Sequence, residues 1–180
     1  MMKKHKNSLI LAVVSCGIFV LLSMLNTPVS FANQQASIAN IVDGDTVDIT
    51  MSQCRVPWKG NAELCRIRLA CIDTPERGEK PFFDDSKKRI TELLPIGTKI
   101  TIRDTGNTSY YRMVAEIFKD NTSINLQMVS EGQAGLFCKY LNNTCPSSKN
   151  AYLNAQNTAK KAGLGIWNSQ QPWVNSRTCN

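Results

Sequence analysis

The sequence predicts an α+β fold: a small five-stranded β-barrel with three packed α-helices. Three observations carry this. Short alternating segments cluster in runs instead of interleaving one by one with helices, which argues against a doubly wound sheet. The elements read strands, helix, strands, helix, strand, helix along the chain. No internal repeat or low-complexity segment breaks residues 33–180, which are long enough for one domain with its own core.

The elements follow in order. Ala36–Asn40 begins the first strand, Asp43-Gly44-Asp45 is a turn, and Thr46–Met51 alternates as a second strand. Ser52–Glu63 holds Pro57, Gly60 and Asn61 without periodicity and reads as a loop. Leu64–Ile72 is a strand that becomes apolar as it enters the core. Asp84 or Asp85 caps a helix to about Leu94, which Pro95 and Gly97 end. Thr98–Asp104 is a strand, Gly106–Tyr110 a turn and Arg112–Phe118 the next strand. Asn121 or Thr122 caps a short helix through Ser130, stopped by Gly132, and Gly135–Cys138 is a brief strand. Ser147 or Ser148 opens the last helix. Its alanines at 151, 155, 159 and 162 form a smooth packing face, and Gly163 is its stop. Trp167 and Trp173 lie in a tail that folds back.

Residues 1–32 read as an export signal. Lys3, Lys4 and Lys6 precede an apolar run from Leu9 to Leu25, and Ser30-Phe31-Ala32 suits cleavage after Ala32. Retention of residues 9–25 as a membrane anchor is the alternative. Cleavage makes the protein secreted or periplasmic, with a domain over 33–168 and a C-terminal tail over 169–180. The whole chain carries 21 Lys and Arg against 14 Asp and Glu; losing the three leader lysines leaves a net charge of about +4. That modest excess suits a polyanionic partner.

The one histidine, His5, lies in the leader. Ser-His-Asp hydrolysis, His-pair ribonuclease chemistry and His-liganded metals are thereby excluded. Hydrolysis must run on carboxylates, arginines, tyrosines and an oxygen-bound metal. Beyond the leader stand Cys54, Cys65, Cys71, Cys138, Cys145 and Cys179, with no C-x-x-C. An even count in an exported chain reads as disulfides, with fifteen possible pairings. Cys54–Cys65 would staple the inserted loop, Cys138–Cys145 is local, and Cys71–Cys179 is the remainder.

Chemistry-bearing residues concentrate in Ile41–Ile49 (IVDGDTVDI) and Arg66–Glu76 (RIRLACIDTPE). Asp43 and Asp45 stand two apart, and Asp73 ends an apolar strand. Pro75 pushes Thr74 toward an extended backbone, which can turn its carbonyl outward. Two carboxylates and a carbonyl, with no nitrogen or sulfur, suit calcium. The same aspartates are also ordinary turn residues. Arg68 and Arg112 match phosphate geometry, and Glu76 is positioned as a base. Tyr110, Tyr111 and Tyr140 can stack on a nucleobase or bond a phosphate. Arg68 and Asp73 are five apart, so a regular strand sends them to opposite faces. Their convergence requires a twist or bulge near Ala70–Ile72.

Ile41–Val47 (IVDGDTV), Arg68–Glu76 (RLACIDTPE), Tyr110-x-Arg112, and Gly163–Trp167 (GLGIW) after an alanine-rich helix resemble the thermonuclease, or staphylococcal nuclease-like, family over about residues 36–168. The resemblance implies an OB-fold barrel with three helices and a monomeric calcium-dependent nuclease. It implies DNA and RNA as substrates, 3′-phosphate products, and one Ca2+ in preference to Mg2+. Under it, Asp45, Asp73 and the Thr74 carbonyl hold the metal, and Asp43 supports them from behind. Arg68 and Arg112 bind phosphate, Glu76 is the general base, and Tyr110 and Tyr140 line the nucleotide pocket. A non-catalytic nucleic-acid-binding module on the same barrel is the alternative. The departures are Thr108-Ser109 where the prototype has Asp-Lys, Cys138 in place of a second pocket tyrosine, a shorter loop after Glu76 and a longer Ser52–Glu63 loop. They touch the pocket and leave the carboxylates and arginines in place.

Overall fold

A computed structural model describes residues 33–145, 148–168, 170, 173 and 179. The export signal expected over residues 1–32 lies outside the described residues. The first barrel strands are β1 (Gln34–Asp43), β2 (Thr46–Thr50) and β4 (Asn61–Leu69). β6 (Lys99–Ser109) and β7 (Arg112–Lys119) complete the five. Short β3 (Pro57–Trp58) and β8 (Thr122–Ser123) extend the sheet at its ends, giving the order β3-β4-β2-β1-β6-β7-β8. Parallel pairing of Ile67, Arg68 and Leu69 with Met113, Val114 and Ala115 closes β4 onto β7. This is the predicted barrel. Alternation puts Val47, Ile49, Cys65, Ile67, Ile102 and Met113 inside, all fully buried.

Three hairpins turn through paired left-handed residues: Lys59-Gly60, Tyr110-Tyr111 and Asp120-Asn121. Each has two central residues with positive φ, the twist that matches flanking strands. Two expectations are corrected here. The Ser52–Glu63 segment contains β3 and the start of β4. The β6–β7 turn falls at Tyr110-Tyr111, with φ of 46° and 60°, and not over Gly106–Tyr110. Gly106 instead sits at a register shift between Asp104 and Thr108, within the strand pairing.

Helices α1 (Phe82–Leu93), α2 (Ile124–Ser130), α3 (Cys138–Thr144) and α4 (Lys149–Lys161) pack around the barrel, one more than the three expected. α1 starts after Pro81, with Asp84 and Asp85 in its first turn and not at its cap. The cap of α2 is Ser123, whose hydroxyl accepts from the Leu126 N–H, in place of Asn121 or Thr122. α3 had no sequence signal; it follows strand β9 (Gly135–Leu136), which pairs with β5 (Ile72–Asp73). On α4 the packing face is Tyr152, Gln156 and Ala159. Ala151 and Ala162 are exposed. The large Tyr152 decides this, because its hydroxyl donates to buried Glu116 at 2.7 Å.

The disulfides are Cys54–Cys65, Cys71–Cys145 and Cys138–Cys179, with Cα separations of 5.6, 6.2 and 5.1 Å. The first is as expected; Cys138–Cys145 and Cys71–Cys179 are corrected. Cys138 and Cys145 sit at opposite ends of α3, about 10 Å of helical rise apart. A disulfide needs Cα atoms within about 7 Å. The tail folds back: Trp173 N–H donates to Ile166 O, and Cys179 N–H to Leu136 O.

Candidate active site

The site forms where β1 and β2 turn and β4 ends. In the β1–β2 turn the Asp45 N–H donates to Asp43 Oδ1 at 3.1 Å. The Asp45 main-chain oxygen accepts from Leu69 N–H at 2.8 Å, tying the turn to the end of β4. Asp45 Oδ1 accepts from the Thr46 hydroxyl, and Oδ2 from Thr74 N–H, each at 3.1 Å. Asp45, Asp73 and Thr74 are 7%, 1% and 2% exposed.

The convergence of Arg68 and Asp73 comes from a sharp turn, not a bulge. After Leu69 the chain leaves the barrel through Ala70 and Cys71, with Cys71 at φ 68°. Three anchors hold this turn. Ala70 N–H donates to Ala115 O at 2.8 Å, and Phe137 N–H to Cys71 O at 2.8 Å. From α2 the amide of fully buried Asn125 donates to Ala70 O and Ala115 O and accepts from Ile117 N–H. Arg68 spans the turn: Nη1 donates to Leu69 O and Ile72 O, both at 2.8 Å. Its Nη2 lies 3.0 Å from Asp73 Oδ1 and 3.1 Å from Asp45 Oδ2. One guanidinium nitrogen therefore draws together a carboxylate of the β1–β2 turn and one of β5.

Arg112 opens β7 beside them. It donates to the Thr46 hydroxyl at 3.2 Å and to Ser109 O and Oγ. Burial, then the nearby Arg68 charge, push its guanidinium below its ordinary value, while Asp45, Asp43 and Glu76 oppose this. These five groups thus share one electrostatic field. Burial and the Asp45 charge push Asp43 upward, against hydrogen bonds from Asp45 N–H and Thr46 and the charge of Arg68. Glu76 is exposed, on a turn where its N–H donates to Glu79 Oε2 at 2.6 Å.

A cleft of about 260 Å³ opens beside Arg68, lined among others by Tyr110, Phe137, Tyr140, Cys71 and Thr144. Tyr110 is 88% exposed at the hairpin tip and Tyr140 is 42% exposed on α3. Phe137 was not anticipated. Its ring stands edge-on to Tyr140 at 4.9 Å and 6.0 Å from the Arg68 guanidinium. No spacing rule marks it; the sequence predicts it within the brief strand Gly135–Cys138, whereas the strand ends at Leu136. Tyr111, the other tyrosine at the tip, is 82% exposed and does not line the cleft.

The donor set fits a hard divalent cation. Buried carboxylates from Asp45 and Asp73 converge with the Thr74 main chain, with only oxygen ligands offered. Among the described residues no three His, Cys, Asp or Glu side chains cluster. Two carboxylates and one main-chain carbonyl are what these residues could offer such an ion.

The sequence profile described as staphylococcal nuclease homologue matches residues 66–169. The chain belongs to this family. The staphylococcal nuclease homologue match takes in Arg68, Asp73, Thr74, Glu76, Tyr110, Arg112 and Tyr140 and leaves the Asp43–Asp45 turn before it. A Haemophilus influenzae protein named uncharacterized endonuclease is 31% identical over 135 residues, covering 75% of this chain and 67% of its own. The micrococcal nuclease of Shigella flexneri is 26% identical, covering 80% and 81%. A prophage-derived endonuclease of Bacillus subtilis is 30% identical over 77% of this chain and 45% of its own. As a staphylococcal nuclease homologue the chain is a nuclease, a hydrolase whose substrate is nucleic acid.

Proposed function

We propose that the protein is an exported, monomeric, calcium-dependent endonuclease that hydrolyses phosphodiester bonds of DNA and RNA and leaves 3′-phosphate ends. The observation that carries this is the Arg68 guanidinium spanning Asp45 and Asp73, with Arg112 in the same field. Bound Ca2+ would supply positive charge against the scissile phosphate and against an attacking water.

Asp45 and Asp73, with the Thr74 carbonyl, hold the ion, and Asp43 fixes the Asp45 main chain. Glu76 takes a proton from the water, whose oxygen attacks phosphorus. Arg68 and Arg112 bind the phosphoryl oxygens and neutralise the charge that builds on the pentacoordinate phosphorane. The bond to the 5′ oxygen breaks, that oxygen takes a proton from solvent, and the phosphate stays on the 3′ oxygen. Tyr110 and Tyr140 contact the adjoining nucleotide from the cleft walls. Three disulfides support a secreted or periplasmic destination. Among the described residues no helix is long and apolar enough to cross a membrane.

The test is digestion of plasmid DNA and of RNA with calcium, magnesium or EDTA, with end-group analysis. Cleavage with calcium is expected, and Arg68→Ala, Arg112→Ala and Glu76→Ala should each lower turnover by about 100-fold or more. Full activity in excess EDTA overturns the metal assignment. N-terminal sequencing of exported protein, expected to begin at Asn33, checks the leader.

A further inference from the structure

The segment inserted between β2 and β4 is a stapled hairpin. Cys54–Cys65 closes its base, and Lys59-Gly60 turns β3 back onto β4. Trp58 is therefore held in place, opposite Asn61 at the start of β4. The Arg66 guanidinium lies 3.9 Å from the centre of its ring. Arg66 in turn donates to both oxygens of Asp48 at 2.7 and 2.9 Å, and Asn40 donates to Asp48 as well. The charge of Arg66 is thus matched by Asp48, and its planar head is a brace under the indole. Trp58 remains partly exposed, so an edge or face away from Arg66 meets solvent.

Arg66 and Arg68 are two apart on β4, so both project from the outer face of the barrel. They lie opposite Asp48 and Thr46 of β2, while Ile67 between them is buried inside. The outer face of β4 therefore carries Arg68, beside Asp45 of the β1–β2 turn and Arg112 of β7, and, further along, Arg66 with Trp58 of β3 against it. The step from Arg68 to Arg66 is about 6.6 Å along the strand, roughly two base-stacking spacings. The outer face of these strands is the surface on which this barrel class receives oligonucleotides.

We infer that this face is a binding track for single-stranded nucleic acid flanking the scissile phosphodiester, on which the Trp58 indole stacks against a nucleobase. It rests on the proposed assignment of the reaction site to Arg68, Asp45 and Arg112. An aromatic face held by a cation accepts any base and gives length-dependent binding without sequence preference. If the stack only stiffened the hairpin, Trp58 would affect stability and would not distinguish long substrates from short ones.

The experiment compares wild type, Trp58→Ala and Trp58→Phe. Cleavage in calcium is measured as the ratio of kcat/KM on a single-stranded dodecamer to that on a dinucleotide. Affinity for the fluorescent dodecamer is measured in EDTA. Trp58→Ala should lower both the ratio and the affinity by about tenfold, with Trp58→Phe restoring most of the loss. An abasic site scanned through the dodecamer should cost wild type most at one flanking position. Equal losses on long and short substrates, no rescue by phenylalanine, or an abasic scan without a sensitive position would each overturn the track. The scan is repeated on Trp58→Leu, which keeps an apolar side chain if Trp58→Ala fails to fold: the position set by Trp58 should lose its sensitivity there, while one set by Tyr110 and Tyr140 keeps it. The EDTA affinity needs no turnover: failed cleavage with Trp58-dependent binding would refute the reaction assignment and leave the track standing.

Discussion

Gly44 has no room for a side chain. A Cβ there would stand 2.9 Å from Ser86 Cβ and from the Thr74 hydroxyl oxygen, and 3.0 Å from Thr74 Cβ. Ser86 cannot retreat easily, because it is buried and its hydroxyl donates to Gln133 O at 2.6 Å. Gly44→Ala should therefore displace Thr74, whose N–H also donates to Asp45 Oδ2. The expected result is a higher calcium concentration for half-maximal cleavage and turnover about tenfold lower, read from a calcium titration of rate. An unchanged calcium midpoint would disconnect Gly44 from the metal ligands. At this scale the candidate site was partly legible. The aspartates and arginines announced themselves by type, as hard oxygen donors and phosphate binders in a chain whose one histidine is His5. What brings Arg68 to Asp73 did not. The turn is made by Cys71 at φ 68°, a residue with no turn propensity, held there by contacts from Ala115, Asn125 and Phe137 that are remote in sequence.

Among elements, the braces on the site come from α1 and α2. Arg89 of α1 donates through Nε and Nη2 to both oxygens of Glu131, just past α2, and Gln127 donates to the same carboxylate at 2.8 Å. The Arg89 hydrogen bonds hold the Glu131 carboxyl below its ordinary value of 4.5, against the opposing effect of burial. A lowered folded-state value means that the pair stabilises the protein above about pH 4.5. That contribution is lost as pH falls through the folded-state value. Glu131→Gln should cost about 0.5–1 kcal/mol at pH 7, modest because the pair is one-third exposed. It should also flatten the acid side of a pH–stability curve measured by urea unfolding; an acid limb as steep as wild type would assign the acid loss to other carboxylates. Strands were readable because alternation survives tertiary packing. α3 was not, because seven residues with a cysteine at one end and asparagines at the other carry no helical period. The alanine stripe of α4 misled for a related reason: one Tyr152 that reaches a buried carboxylate outweighs the methyl groups of Ala151 and Ala162 in choosing the buried face.

For the molecule as a whole, two long-range disulfides decide how the cleft is walled. Cys71–Cys145 joins the turn after Arg68 to the end of α3, and Cys138–Cys179 joins the start of α3 to the tail. They span 74 and 41 residues, and constraining the unfolded chain over such loops contributes about 4 kcal/mol each in the chain-entropy account. Reduction with excess dithiothreitol should lower Tm by roughly 15 °C or more. Below that melting point it should also raise KM, because α3 carries Tyr140 and follows Phe137. Differential scanning calorimetry and oligonucleotide kinetics with and without reductant check this. A KM indifferent to reduction would mean that α3 stays seated without its bonds.

The placement of those two bonds bears on how a cell survives making such a protein. A nuclease is dangerous to its producer for as long as it shares a compartment with the genome. Here the wall that would grip a nucleotide is fastened by sulfur chemistry that a thiol-rich cytoplasm undoes. Newly made chains would lack a finished grip there and acquire it only on reaching an oxidising space.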